Sequence, residues 1–161
     1  MKHKTHIATI GAAILVCVLA LPLAAQVTRP YKITGETVGV ITEVTADYTI
    51  TFDLVNVGQA THCGRYWNVG TTTLSLITHR GTAQGIFTAA NGDLIEWEGV
   101  IAPTVDGRTI LTVTVTGGTG RFADGSGGFV AEISNFVIDP MPPAVGSIVS
   151  YTFEGAGAAS Y

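Results

Sequence analysis

The chain has 161 residues, and its 12 acidic and eight basic side chains give it a formal net charge of −4. Nucleic-acid binding needs clustered Lys and Arg, so this charge balance excludes nucleic-acid-binding proteins as a function class. A hydrophobic content of 47% with 12% charged residues is enough for one domain with a buried core.

The first 25 residues have the layout of a secretory signal peptide. Lys2 and Lys4 precede an apolar run over residues 7–23, and the small residues before Gln26 provide a cleavage site. A retained membrane anchor is the alternative, although the run is near the short limit for a membrane span. We therefore expect a mature chain of residues 26–161.

Cleavage at this point also decides the cysteine chemistry and the charge. It removes Cys17 and leaves Cys63 alone, so no intramolecular disulfide can form. It leaves six basic and 12 acidic side chains, a formal charge of −6. We expect residues 26–161 to fold as one domain of a bacterial protein that is secreted or periplasmic, with no membrane attachment after cleavage.

Apolar and polar residues alternate with a period of two in almost every segment after Tyr31. This pattern predicts β-strands with one buried face; one such strand carries Tyr48, Ile50 and Phe52 on the same side. The dipeptides Asn91-Gly92 and Asp106-Gly107 are typical of hairpin turns. The predicted strands are roughly 32–43, 47–56, 61–68, 71–78, 83–89, 93–102, 108–116, 127–138 and 147–155.

Eight or nine short strands joined by hairpins predict an all-β fold. Asn68-Val69-Gly70 is interpreted as one of the connections. Consecutive hairpins favour an eight-stranded antiparallel up-and-down barrel, because closing the sheet removes its exposed edges. A β-sandwich is the alternative.

The segment "TVTGGTGRFADGSGGF", residues 114–129, is rich in glycine but does not match a phosphate-binding loop. A dinucleotide fingerprint requires a helix after the glycines, and here a strand follows. A calcium loop requires more carboxylates than Asp124 provides. The glycines instead indicate a bent connection at the rim of a barrel, with Phe122 plugging one end of the core.

Three motifs together resemble the allene oxide cyclase and dirigent-like barrel superfamily, above all its small secreted bacterial members. They are "ATHCGRY" at residues 60–66, "FTAANGD" at residues 87–93 and "GGTGRFADGSG" at residues 117–127. The resemblance implies an eight-stranded barrel, oligomeric in many plant members, that binds a small apolar or phenolic substrate inside. It carries over the fold and the possibility of a cavity, but not the activity, because the matching motifs are turn segments onto which the cavity residues of the plant proteins cannot be mapped.

Arg65 is the most informative single residue of the predicted strand 61–68. If Cys63, Arg65 and Trp67 face the interior, the guanidinium needs a carboxylate partner or an anionic ligand. In the alternative arrangement His62 and Tyr66 face inward and Arg65 lies on the surface. His62 and Cys63 are neighbours on a strand, so they face opposite ways and do not form a catalytic pair.

Other candidate chemistry is sparse. Glu96 and Glu98 share one strand face, where paired carboxylates most often solvate the surface. The sequence lacks HExxH, GxSxG and CxxC motifs, and it indicates no metal and no cofactor.

The first functional hypothesis is therefore binding of a small hydrophobic molecule in the barrel. The alternatives are an isomerase or cyclase anchored by Arg65, and a non-catalytic structural or surface protein with a solid barrel. No catalytic residue is assigned, and the chain is expected to form a homo-oligomer. The residues predicted to line the interior site are Tyr48, Arg65, Trp67, Trp97 and Tyr151.

Overall fold

A computed structural model describes residues 27–161, and the predicted signal peptide and Cys17 lie outside them. The strands are β1 (Thr28–Val44), β2 (Thr49–Ala60), β3 (Gly64–Ser75), β4 (Gly81–Thr88), β5 (Leu94–Pro103), β6 (Thr109–Gly118), β7 (Ser126–Asp139) and β8 (Ile148–Ser160). Each strand pairs antiparallel with the next, and β8 pairs with β1 to close the barrel. The predicted eight-stranded barrel is confirmed, and the β-sandwich alternative is wrong.

The turns follow the predicted chemistry except in β3. Gly92 and Gly107 have φ values of +87° and +84°, as their hairpin turns require. The expected connection at residues 68–70 lies inside β3, however, so two predicted strands are one. A Cβ at Gly70 would lie 2.4 Å from the carbonyl oxygen of Gln84. Gly70 is therefore required by close strand packing and does not mark a turn.

Aromatic side chains fill the barrel, and inward-facing glycines make room for them. A Cβ at Gly35 would lie 2.5 Å from the Tyr66 hydroxyl oxygen and 2.7 Å from Cζ of Phe153. Eight strands enclose an interior that side chains alone can fill. The buried aromatic residues are Tyr31, Phe52, Tyr66, Phe87, Trp97, Phe122, Phe129, Tyr151 and Phe153.

Candidate functional site

The five residues predicted to line an interior site do not come together. Trp97 and Tyr151 are buried inside the barrel, at 5% and 8% exposure. Trp67 is half exposed, and Arg65 lies on the same outer face. Tyr48 is exposed in the turn before β2. The interior placement is therefore wrong for three of the five.

The correction has a simple physical reason on each strand. Tyr66 and Asn68 point into the barrel, so Arg65 and Trp67 between them point outward, which is the alternative weighed for this strand. Tyr48 has a φ of +58°, so the alternation of β2 does not extend back to it.

The middle of the barrel contains a row of polar side chains. Thr37 on β1 lies opposite Asn56 on β2, which in turn lies opposite Asn68 on β3, and all three are buried. The indole Nε1 of Trp97 donates a hydrogen bond of 2.8 Å to Oδ1 of Asn68. Among the described residues, the Thr37 hydroxyl, the Asn56 carbonyl oxygen, the Asn68 amide nitrogen and the Thr72 hydroxyl are buried without a hydrogen-bond partner.

The three motifs that carry the family resemblance meet at one end of the barrel. Arg121, from the glycine-rich segment, donates a 2.6 Å hydrogen bond to the carbonyl oxygen of His62. Its Nε lies 3.6 Å from Oδ2 of Asp93, in the second motif. The amide of Ala90 donates to the carbonyl oxygen of Cys63 at 3.0 Å. The motifs therefore mark the contacts that hold three hairpins together.

Phe122 closes this end of the barrel, as the sequence predicts. It is buried at the end of a short 3-10 turn (Gly120–Phe122), and its ring packs edge-on against Tyr161 at 5.1 Å. Beneath these two rings lies a cavity of about 20 Å³, walled also by Phe87 and Phe129. A cavity of this size has room for one water molecule.

Cys63 lies beside the same end and is a buried, neutral thiol. Its sulfur lies 3.7 Å from the Tyr31 hydroxyl oxygen. Burial raises the pKa of the thiol above its usual value, and the Tyr31 hydroxyl and Arg121 lower it by less. His62 directs Nε2 to the carbonyl oxygen of Pro30 at 3.2 Å, away from the sulfur. The arrangement lacks a base that could activate the thiol.

The outer face of β1–β4 carries a contiguous apolar surface. Val38, Val55, Val69 and Ile86 lie directly opposite one another on successive strands. Val57 and Trp67 form a second, parallel pair. We call this surface the apolar face, and its seven exposed residues are Val38, Val40, Val55, Val57, Trp67, Val69 and Ile86.

Polar residues border the apolar face along the strands. On one side Arg65 lies opposite Gln59, and on the other side Asp53 lies opposite Thr71. The Thr71 hydroxyl donates a 2.8 Å hydrogen bond to Asp53. A groove lies over the row of Val38, Val55, Val69 and Ile86, and polar side chains also line it, among them Asp53, Thr71, Gln84 and Glu96.

The alternation of apolar residues predicts that they face the interior, so it does not indicate the apolar face. The available signal was the run from residue 65 to residue 69, in which either of two alternating sets of residues could face inward. Tyr66 and Asn68 form one stripe, and Trp67 and Val69 form the other. Only the pairing with neighbouring strands decides between them.

The remaining candidates stay on the surface. Glu96 and Glu98 both face solvent, on the outside of β5. Within residues 27–161, no three His, Cys, Asp or Glu side chains lie close enough to hold a metal ion. The described part of the chain has no helix that is long and apolar enough to cross a membrane.

Comparison with protein-family models, curated proteins and solved structures finds nothing that matches this chain. The resemblance to the allene oxide cyclase and dirigent-like superfamily therefore rests on the three motifs and stays a prediction.

Proposed function

We propose that this protein is a non-catalytic β-barrel that acts by binding another protein through its apolar face. The observation that carries the proposal is the set of seven large apolar side chains, exposed and adjacent across four strands. Contiguous exposed apolar surface on a folded protein marks an interaction site, whereas scattered apolar residues do not.

The interior of the barrel supports the same reading. Phe52, Leu54, Val113 and Phe153 are buried there. Neighbouring aromatic rings fill the space beside inward-facing glycines such as Gly35. The isomerase alternative used Arg65 as an interior anchor, and Arg65 faces outward. A filled barrel leaves the outer surface as the place where recognition occurs.

A matched pair of double variants tests this proposal. Val55→Lys with Val69→Glu places an ion pair in the centre of the apolar face without changing the net charge. Val100→Lys with Val130→Glu introduces the same two charges on the outside of β5 and β7, where both valines are also exposed and lie on either side of Thr112. We expect retention of dilute protein on a phenyl matrix to fall for the first variant only. Equal retention of the two variants, with both folded by circular dichroism, would contradict the proposal.

Binding of a small apolar molecule is a second candidate, favoured by the apolar cavity beneath Phe122 and Tyr161. A ligand larger than water would have to displace one of these rings. If this occurs, toluene at 100 times its dissociation constant raises the free energy of unfolding by about 2.7 kcal/mol. Thermal unfolding with and without toluene measures this, with Trp67→Ala as a control outside the cavity. An unchanged Tm in saturating toluene rejects the candidate.

Export to the periplasm or the medium is part of the proposal. Expression of the full chain in a bacterium should yield a protein whose mass begins at Gln26. Recovery of the intact chain from the membrane fraction would instead support the retained anchor. Amino-terminal sequencing distinguishes the two results.

A further inference from the structure

We infer that the partner of the apolar face is a second copy of this chain, related by a two-fold axis that crosses β2 and β3 at Asn56 and Asn68. This inference rests on the proposed function, because it names the occupant of the same surface. A two-fold interface is self-complementary, so each feature of the face must meet its complement in the same face.

The strand register supplies the charge complement. Arg65 lies opposite Gln59, and Asp53 lies six residues before Gln59 on the neighbouring strand. At about 3.3 Å per residue, Arg65 and Asp53 are therefore about 20 Å apart along the strands. The row of Asn56 and Asn68 lies halfway between them. Rotation about a two-fold axis along this row therefore places Arg65 of each copy within one strand spacing of Asp53 of the other copy.

The same axis brings the apolar rows together. Val57 and Trp67 lie on one side of the row, and Val55 and Val69 lie on the other. Rotation places the first pair of each copy over the second pair of its partner. Trp67 is half exposed in the single chain, and a tryptophan at the centre of an interface is a typical hot-spot residue.

Charge favours a copy of this chain over an unrelated acidic or basic partner. Arg65 has no ion pair and no side-chain hydrogen bond among the described residues. Asp53 accepts one side-chain hydrogen bond, from Thr71, and its carboxylate can accept more. A second copy provides a carboxylate for each Arg65 and a guanidinium for each Asp53, so the interface contains two ion pairs.

Charge reversals at Arg65 and Asp53 test the inference. Sedimentation equilibrium of the exported protein measures the dimer dissociation constant of each variant. We expect dimers, with Arg65→Asp and Asp53→Arg each raising the dimer dissociation constant about tenfold or more. The double variant Arg65→Asp with Asp53→Arg should restore it to near the starting value. Arg80→Asp is the control, because Arg80 is exposed in the turn after β3, away from the face. Each variant must keep the circular dichroism spectrum and Tm of the starting protein.

Two results would overturn the inference, and each says something different about the apolar face. A monomer at concentrations up to about 200 µM rules out the second copy. If the Val55→Lys, Val69→Glu variant still loses retention on the phenyl matrix, the face remains a docking surface for another protein. If that variant also behaves like its control, the proposed function fails as well. If the protein forms a dimer whose dissociation constant changes with neither charge reversal, a different surface forms the interface.

Discussion

The two sides of the barrel distribute polar and apolar residues in opposite ways. On β5 and β6 the inward residues include Ile95, Trp97 and Val113, and Glu96 and Glu98 lie outside. On β1–β3 the middle of the inner face is polar, with Thr37, Asn56 and Asn68, while valines and Trp67 lie outside. The first side has the usual arrangement of a soluble sheet. The second side departs from it in this middle band, on either side of which Ile33, Ile41 and Phe52 still face inward.

The second side is less favourable for folding. A buried polar group without a partner costs about 1–3 kcal/mol, and Asn56 and Asn68 each bury one such group in the row Thr37–Asn56–Asn68. Exposed valines add nothing to the core. Val100 and Val130 are exposed on the other side as well, but among the described strands only β1–β3 combine an exposed apolar band with a buried polar row. This combination indicates that the side is used for something besides stability.

The two tryptophans offer the largest test of this difference. Trp97 is buried, stacks on Phe87 and donates to Asn68, whereas Trp67 is half exposed on the apolar face. We expect Trp97→Ala to lower the free energy of unfolding by about 3–5 kcal/mol. Trp67→Ala should lower it by less than about 1 kcal/mol. Urea denaturation measures both, at protein concentrations below the dimer dissociation constant, where loss of the interface does not contribute. Similar losses for the two variants would show that the apolar face belongs to the core.

The two asparagines provide a smaller test, with opposite signs. Asn56 buries a carbonyl oxygen without a partner, so Asn56→Leu should raise the free energy of unfolding by about 1 kcal/mol. Asn68→Leu should lower it by about 2 kcal/mol, because it leaves the indole nitrogen of Trp97 buried without an acceptor. The comparison again uses urea denaturation. A loss of stability in Asn56→Leu would indicate that buried water already satisfies this oxygen.

The sequence was sufficient for the fold. Alternation with a period of two and the glycine turns at residues 92 and 107 predicted the antiparallel barrel, since both signals are local. Phe122 was also predicted correctly at the end of the core. The extra strand arose because Gly70 was interpreted as a turn residue, whereas it is required by close approach to β4.

The site could not be predicted in the same way. Which stripe of β3 faces inward depends on the register with β2 and β4, and register is a property of three strands together. The hydrophobicity of Trp67 and Val69 indicated the interior, and the neighbouring strands placed them outside. Arg65 was misplaced with them. The alternative was correct for Tyr66 and Arg65 but not for His62, which lies in the turn before β3 and is not buried. No feature of the sequence alone selected the arrangement of this strand.

The response to alkaline pH gives a last contrast between the two sides. Cys63 and Tyr66 are buried beside β1–β3, and burial raises the pKa of both above their ordinary values. Residues 94–139, which contain β5–β7, have neither Cys nor Tyr. A raised folded pKa means that the folded state keeps its proton longer than the unfolded state. Stability is therefore complete below the ordinary thiol pKa and falls as pH rises from there towards the folded value.

Because the folded pKa values are raised, these two groups should leave the free energy of unfolding unchanged between about pH 6 and pH 8. At higher pH the free energy of unfolding should decline by up to about 1.4 kcal/mol per pH unit for each group that titrates. Between about pH 8.5 and pH 10 the thiol is the first group to contribute, so Cys63→Ala should decline less than the starting protein over this interval. Urea denaturation at a series of pH values measures the slopes. Equal slopes for the two proteins would mean that the thiol is hydrated in the folded state, and that the end of the barrel near Cys63 is open to solvent.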